Sequence, residues 1–186
     1  MESRVASCAF SKARTNRMLA RIRKEYVLYG RCWTNFAFLA MLAYRFGAWV
    51  STLRPGSARW VMFQSYYFFS KFTEALSGIW IAFGAQIGED VIFVHSGNIK
   101  IHREAVIGDR VSIMHDVTIG MNTARGGVPT IGDDVLIGAG AKVLGGITIG
   151  EGATIAPNSL VITDVPRLAT VMGVPSRVMP TLRKAA

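Results

Sequence analysis

The sequence predicts a mainly β solenoid, a parallel β-helix, preceded by an α-helical segment. Two observations predict this fold. Of the 19 aromatic residues, 17 lie in residues 1–80, together with only 4 of the 19 glycines. In the rest of the chain, aliphatic residues recur every six positions. We therefore divide the 186 residues into a helical segment 1–80, a β-helix domain 81–178 and a C-terminal tail 179–186.

Three helices are expected in the N-terminal segment. The first is basic and runs from Arg14 to Tyr26. The second spans Phe36–Val50, where apolar residues recur near 3.6-residue spacing, and Arg54-Pro55-Gly56 ends it. The third begins with Ser57 as its N-cap, carries a stripe of aromatic residues and ends near Gly78.

The aromatic stripe has two interpretations. Helix packing, within the chain or between subunits, is the simpler one. Residues 1–80 also hold 12 of the 21 Lys and Arg but 3 of the 12 acids, which is typical of a surface in peripheral contact with an anionic membrane. No nucleic-acid motif accompanies the charge, so no nucleic-acid partner is expected.

The cellular compartment is predicted from what the sequence contains. We expect no secretory signal and no transmembrane helix, because no apolar run is long enough for either. The two cysteines, Cys8 and Cys32, favour a reducing compartment. The prediction is a cytoplasmic protein, with possible peripheral contact at the inner face of the membrane.

A six-residue repeat defines the second part of the chain. A helix does not tolerate this period with so much glycine, whereas a strand and turn repeated as a solenoid does. Three hexads form one triangular coil, so twelve repeat positions predict four coils, spaced about 4.8 Å apart. The positions are Ile87, Phe93, Ile101, Ile107, Ile113, Ile119, Ile131, Ile137, Val143, Ile149, Ile155 and Val161.

Two breaks in the period mark departures from the scaffold. The longer interval after Phe93 predicts a two-residue bulge at His95–Asn98, and the one after Ile119 predicts a projecting loop, Met121–Thr130.

The repeat also places two histidines on one corner of the coil. His95 and His115 each lie two residues after a core position of the same face, so we expect them roughly 5 Å apart along the axis. The same column continues to Ala139 and Pro157. The column therefore predicts a groove that is polar at one end and smooth along its wall.

The repeat region resembles the hexapeptide-repeat acyltransferases, most closely the serine acetyltransferase-like group, which includes enzymes of bacterial polysaccharide biosynthesis. The stretches that carry the resemblance are Ile107–Gly120, Ile131–Gly145 and Val171–Arg177. The resemblance implies a left-handed β-helix, a homotrimer or a multiple of trimers, and transfer of acetyl from acetyl-CoA to a hydroxyl without a metal.

The resemblance also implies roles for individual residues. His95 matches the general base, a task that suits imidazole because it accepts protons near neutral pH. Acetyl-CoA is expected along Ala139 and Pro157, with Arg177 near its phosphates. His115 is the second catalytic candidate and orients the substrate or thioester. The plain alternative for each histidine is an ordinary corner residue.

Other polar residues receive lesser roles. Asp116 and Arg103 are expected near the groove, and His102 at the surface of a different corner. Asp134 and Asp164 are interpreted as turn residues.

Two departures from the family pattern concern the acceptor. Trp80-Ile-Ala-Phe83 stands where serine acetyltransferases carry Asp-Ile-His-Pro, so the carboxylate that partners the catalytic histidine is missing. Val128-Pro129 replaces a His-Pro pair. Both changes fall on the acceptor side, which favours a sugar hydroxyl of a polysaccharide or its lipid-linked precursor, with L-serine as the alternative.

Two other classes of protein were weighed. A metal-dependent hydratase on the same coil needs a His-x4-His pair, but His95, His102 and His115 are separated by 7 and 13 residues. A non-catalytic solenoid scaffold stays open as an alternative, and it predicts no binding of acetyl-CoA.

Overall fold

Three helices precede the solenoid in the computed structural model, which describes residues 18–124 and 126–179. Residues 18–28 form α1, and the next helices are α2 (Phe36–Ser51) and α3 (Ser57–Ser77). The predicted helix Arg14–Tyr26 is therefore confirmed from residue 18 onward. Its earlier residues, Cys8 and all but the first residue of the tail 179–186 lie outside the described part of the chain.

The helix ends follow from local capping. The side chain of Asn35 accepts hydrogen bonds from the backbone N–H groups of Ala37 (3.0 Å) and Phe38 (3.3 Å), which fixes the start of α2. Helix α3 starts one residue earlier than expected, because Gly56 occupies the N-cap position and Ser57 is already helical. The predicted end is confirmed: Gly78, with φ of 68°, is the left-handed C-cap.

Short parallel strands form the three faces of the solenoid. The first sheet has the order β1-β4-β7-β10-β13, the second β11-β8-β5-β2 and the third β15-β14-β12-β9-β6-β3, where only β15 is antiparallel. The strands are β1 Ile79–Ile81, β2 Gln86–Ile87, β3 Ile92–Phe93, β4 Ile99–Ile101, β5 Val106–Ile107, β6 Ser112–Ile113, β7 Thr118–Gly120, β8 Thr130–Ile131, β9 Leu136–Ile137, β10 Lys142–Leu144, β11 Thr148–Ile149, β12 Thr154–Ile155, β13 Leu160–Val161, β14 Thr170–Met172 and β15 Arg177–Val178.

The solenoid has five coils, so the predicted count of four is one too low. The additional coil is made up of strands at both ends of the predicted repeat. Strand β1 opens the first coil before Ile87, and Val165 continues the second sheet through a bridge to Ile149 after Val161. Val165 follows Val161 after four positions instead of six, which breaks the six-residue period and hides the last coil from a period count.

The core is the aliphatic interior of the coils. All twelve predicted repeat positions are buried, and the most exposed of them, Ile87, has only 7% of its surface accessible. Strand pairing keeps the column positions aligned from coil to coil, as in Phe93 with Ile113. The side chains therefore stack in rows along the axis.

Two tyrosines of the helical segment close the open end of the solenoid. The hydroxyl of Tyr44 accepts from Ile87 N–H (3.1 Å) and donates to the carbonyl of Ala85 (2.9 Å). The hydroxyl of Tyr29 does the same for Phe93 N–H (2.9 Å) and the carbonyl of Val91 (3.2 Å). These bonds satisfy first-coil backbone groups that have no preceding coil to pair with.

Candidate active site

Strand register lines up the predicted site residues along one corner. The third sheet pairs Phe93 with Ile113, Ile113 with Ile137, and Ile137 with Ile155. The residues two positions after each of these core residues therefore lie one above another on successive coils, at the turn from the third sheet to the first. We call this column the histidine ridge; it consists of His95, His115, Ala139 and Pro157.

The two histidines of the ridge lie next to each other. Their ring centroids are 5.8 Å apart and the ring planes meet at 61°. Both side chains are exposed, and Ala139 beyond them is half-buried. The predicted alignment and spacing are confirmed. The geometry thus brings two proton-transfer groups to one end of a narrow track.

A bulge positions His95 at the start of the ridge. Two residues of the bulge, Gly97 (φ 123°) and Asn98 (φ 47°), adopt positive φ angles. The bulge passes so close to Gly78 that a Cβ added there would lie 2.8 Å from the Asn98 nitrogen. The side chain of Asn98 also donates to Asp116 Oδ1 (2.6 Å) and ties the bulge to the coil above.

The backbone of the ridge presents open hydrogen-bond donors. Within the described ranges, the N–H groups of His95, His115 and Ala139 donate to no acceptor. The corner after the second sheet differs, because the equivalent N–H groups of Glu89 and Asp109 donate to aspartate side chains one coil away, at 2.7 and 2.9 Å. The ridge therefore keeps donors free for an elongated amide-rich ligand or an oxyanion.

Asp116 lies beside the ridge but pairs with other groups. Its Oδ1 accepts from Lys142 Nζ (3.1 Å) as well as from Asn98. These hydrogen bonds, with that from Lys142 the stronger influence, lower the pKa of Asp116 below its ordinary range. No carboxylate hydrogen-bonds to the imidazole of His95 or His115 among the residues that the structure describes.

Two residues at this corner were missed by sequence reasoning. Asn98 and Lys142 hold Asp116, yet neither stands out as a motif. The repeat contained a signal for Lys142, because the strand register pairs it with Thr118, which is two residues after Asp116. Counting the outward positions of the first sheet would have found it.

The remaining predicted residues are distributed over several corners. Arg177 is exposed on β15, opposite Met172, at the C-terminal end of the sheet that carries the ridge. His102 is on a different corner, as predicted, where its Nδ1 accepts from Glu104 N–H (3.2 Å). Arg103 follows β4 at that same corner, because it sits two residues after Ile101, so within one chain it does not share a corner with the histidines.

Asp134 and Asp164 lie in connections between strands, as predicted. Asp134 has a positive φ of 57° and a carboxylate that Arg110 holds at 2.7 Å through both Nε and Nη2. Asp164 Oδ1 accepts from Thr148 N–H (2.7 Å). Both aspartates therefore have structural partners away from the ridge.

The projecting loop leaves the solenoid at a different corner from the histidines. It joins β7 of the first sheet to β8 of the second, and in the described part Gly126 N–H donates to the Asn122 carbonyl (2.7 Å). A cavity of ≈ 1050 Å³ is also remote from the ridge, between the helices and the second sheet near Arg45 and Gly88. In a single chain the histidine ridge is therefore an open surface track.

The residues that the structure describes contain no group of three or more His, Cys, Asp or Glu side chains that could hold a metal ion. No helix among them is long and apolar enough to cross a membrane.

Comparison with known proteins places the solenoid among transferases. The family model for the bacterial transferase hexapeptide (six repeats) matches residues 129–163. A serine acetyltransferase from Mycobacterium tuberculosis is 46% identical over 112 residues, covering 59% of this chain and 49% of that protein. The chain spans about half the length of the curated relatives it matches.

Solved structures agree with the sequence relatives. The serine acetyltransferase of Neisseria gonorrhoeae superposes with a TM-score of 0.73 at 29% identity, covering 94% of this chain and 67% of that one. A serine acetyltransferase in complex with CoA has a TM-score of 0.67 at 31% identity, covering 79% and 58%. With its repeat and its five coils, the chain is similar in sequence and in fold to the hexapeptide-repeat transferases.

Proposed function

We propose that this protein is an O-acetyltransferase that moves the acetyl group of acetyl-CoA to a hydroxyl. The observation that carries the proposal is the histidine ridge, where two adjacent imidazoles stand at the head of a track of small residues with open backbone donors. The similarity to serine acetyltransferases, one of them in complex with CoA, supports the same chemistry.

His95 is the general base in this proposal. It accepts the proton of the acceptor hydroxyl while that oxygen attacks the thioester carbonyl, since an alcohol is a poor nucleophile without such help. The tetrahedral intermediate then collapses, the C–S bond breaks, and the CoA sulfur leaves with the proton that His95 returns to it. Backbone N–H groups along the ridge stabilise the oxyanion, and His115 orients the reacting groups.

Transfer is direct in this proposal, without an acyl-enzyme intermediate. Both cysteines of the sequence, Cys8 and Cys32, precede the solenoid, so no thiol lies in the repeat region to carry the acetyl group. Acetyl-CoA lies along Ala139 and Pro157, where small side chains allow close approach. Arg177, at the C-terminal end of the same sheet, meets the CoA phosphates.

A homotrimer, or a multiple of trimers, completes the site. In one chain the histidines and the projecting loop occupy different corners of the triangular coil, so they do not enclose a common space. Three subunits packed around a common axis bring the loop corner of one subunit to the histidine corner of the next. The open track then gains its second wall.

The acceptor has two candidates. L-serine is favoured by the similar proteins named above, which are serine acetyltransferases, and the sugar acceptor predicted from the sequence is not confirmed by them. A sugar hydroxyl stays the second candidate because Trp80 and Val128 replace a carboxylate and a histidine on the acceptor side. A lipid-linked sugar would place the enzyme at the inner face of the membrane.

One assay tests both parts of the proposal. Release of CoA thiol from acetyl-CoA is measured with L-serine and with a panel of nucleotide sugars and oligosaccharides, using His95→Ala as the control. Turnover with serine assigns serine, and turnover with a sugar alone assigns the second candidate. If acetyl-CoA causes no thermal shift and no acceptor is turned over, the enzyme proposal is wrong and a scaffold role replaces it.

A further inference from the structure

The bulge that carries His95 is tied to the coil above it at two points. The backbone N–H of Asp116 donates to the carbonyl of Gly97 (2.8 Å), and the side chain of Asn98 donates to Asp116 Oδ1 (2.6 Å). Both hydrogen bonds involve Asp116, the residue directly after His115. The turn that presents the second histidine therefore also holds the segment that presents the first.

The bulge also passes beside the second histidine. A Cβ added to Gly97 would lie 3.9 Å from Cβ of His115. The carbonyl of His115 accepts from Gly140 N–H on the following coil (3.0 Å), which fixes the backbone that carries this ring. A shift of the bulge away from Asp116 would therefore change the separation of the two rings, which is 5.8 Å between centroids.

Lys142 holds Asp116 from a third coil. Its Nζ donates to the backbone carbonyl of Asp116 (2.6 Å) and to Oδ1 of the same residue (3.1 Å). One ammonium group thus fixes both the turn and the side-chain orientation of the carboxylate. The hydrogen bonds from Lys142 and Asn98 also lower the pKa of Asp116, so the carboxylate stays ionised at neutral pH and accepts no proton there.

We propose that Asp116 is a positioning residue, which holds the His95 bulge on the following coil and thereby sets the spacing of His95 and His115. It acts through the bulge, because Asn98 and Lys142 occupy its carboxylate and no hydrogen bond joins it to either imidazole within the described ranges. The effect on turnover rests on the proposed function, since a displaced general base loses its alignment with the acceptor hydroxyl.

Two substitutions of Asp116 test this role in the acetyl-CoA assay. Asp116→Ala removes the oxygen that accepts from Asn98 and should lower kcat by about 10- to 100-fold, with the KM for acetyl-CoA near its wild-type value. Asp116→Asn keeps an oxygen in the same place for Asn98 and Lys142, so kcat should be largely restored. Unchanged kcat in Asp116→Ala, or equal losses in both variants, overturns the proposal.

The matched control for backbone strain and for a lost ion pair is Asp134→Ala. Asp134 has φ of 57° against 56° for Asp116, and its carboxylate pairs with Arg110 at 2.7 Å. It lies at the corner after the second sheet, away from the histidines, so this variant should keep its kcat. A loss equal to that of Asp116→Ala would assign the effect to general loosening of the solenoid and overturn the proposal.

A double-mutant cycle tests whether the contact with the bulge is the cause. Asn98→Gly removes the same hydrogen bond from the other side, and glycine suits the positive φ of 47° at this position. In the Asp116→Ala background it should lower kcat little further, because both changes break one contact. Fully additive losses would mean that Asp116 does not act through Asn98.

Hydrogen exchange gives a readout that needs no turnover. The amide at position 116 donates to Gly97 of the bulge, so after correction for intrinsic rates it should exchange about tenfold faster in Asp116→Ala than in Asp116→Asn. Equal exchange overturns the proposal. If the exchange differs as expected but the wild type turns over no acceptor, the proposed function is wrong and the positioning of the two histidines stands.

Discussion

The imidazoles of His95 and His115 stand 5.8 Å apart on consecutive coils, and in the described structure neither is hydrogen-bonded to a carboxylate. Their proximity follows from the pairing of Phe93 with Ile113, so it is built into the scaffold. Asp116 is the nearest acid along the chain, but Lys142 and Asn98 hold it. The orientation of the His95 ring therefore depends on the bulge that carries His95 and on its histidine neighbour.

Replacing His95 tests this arrangement directly. His95→Ala should lower kcat by about 10²- to 10⁴-fold, the usual contribution of a general base. Binding of CoA, measured by thermal shift, should persist because the rest of the ridge is unchanged. His115→Ala should reduce kcat less. Full activity in His95→Ala would instead assign the base to His115.

A larger side chain on the ridge should block the cofactor track. Ala139→Leu fills the space beside His115 and should raise the KM for acetyl-CoA at least tenfold, since the ligand must approach the backbone closely. The control is Thr148→Leu, which places the same leucine side chain at an exposed position of the second sheet. If Ala139→Leu and Thr148→Leu have the same KM for acetyl-CoA, the cofactor does not lie along Ala139.

The six-residue period of the sequence predicted the coils well, because every repeat position is a buried aliphatic or aromatic residue of the same kind. Counting three repeats forward therefore leads to the equivalent position of the next coil. His95, His115 and Ala139 were placed on one corner by counting alone. Counting failed at Val165, where a shortened connection breaks the period. It also could not find the roles of Tyr29 and Tyr44, because their hydroxyls bind backbone groups of the first coil across long sequence separations.

A buried ion pair anchors α1 to α2. Arg45 Nε donates to Glu25 Oε1 (2.8 Å), and both residues are buried. Arg45→Met should lower the free energy of unfolding by about 3–5 kcal/mol, because it leaves the buried carboxylate uncompensated. Adding Glu25→Leu to this variant should recover part of the loss in urea unfolding. A double variant less stable than Arg45→Met would contradict this account.

The same pair predicts a pH dependence of stability. Burial raises the pKa of Glu25 above its ordinary value of 4.5, despite the opposing effect of Arg45, and its Oε2 has no hydrogen-bond partner in the described chain. The folded state therefore holds this proton more tightly than the unfolded state. The resulting stabilisation is complete below the unfolded pKa and is lost as the pH rises through the folded pKa.

Comparison with Glu25→Gln isolates this contribution. Wild-type stability relative to Glu25→Gln should increase as the pH falls from 7 towards the ordinary Glu value of 4.5. Urea unfolding of both proteins at several pH values measures the difference. If the difference in stability between the two proteins is constant, or decreases as the pH falls, the pKa of the Glu25 carboxyl is not raised in the folded state.

The contact between Gly47 and Tyr66 fixes α3 on α2. A Cβ on Gly47 would lie 2.7 Å from Cδ2 and 2.8 Å from Cζ of the Tyr66 ring, which is buried. A glycine-to-alanine change inside a helix normally stabilises it by about 1 kcal/mol. Here the overlap should dominate, so Gly47→Ala is expected to lower the free energy of unfolding by about 1–3 kcal/mol.

Two matched variants separate this overlap from helix propensity. Gly56→Ala adds a methyl where no atom lies within 4 Å, so it should cause no comparable loss. Gly47→Ala combined with Tyr66→Leu should be more stable than the sum of the two single changes predicts, because the ring that the methyl meets is gone. Additive losses in urea unfolding would mean that Tyr66 does not pack on Gly47.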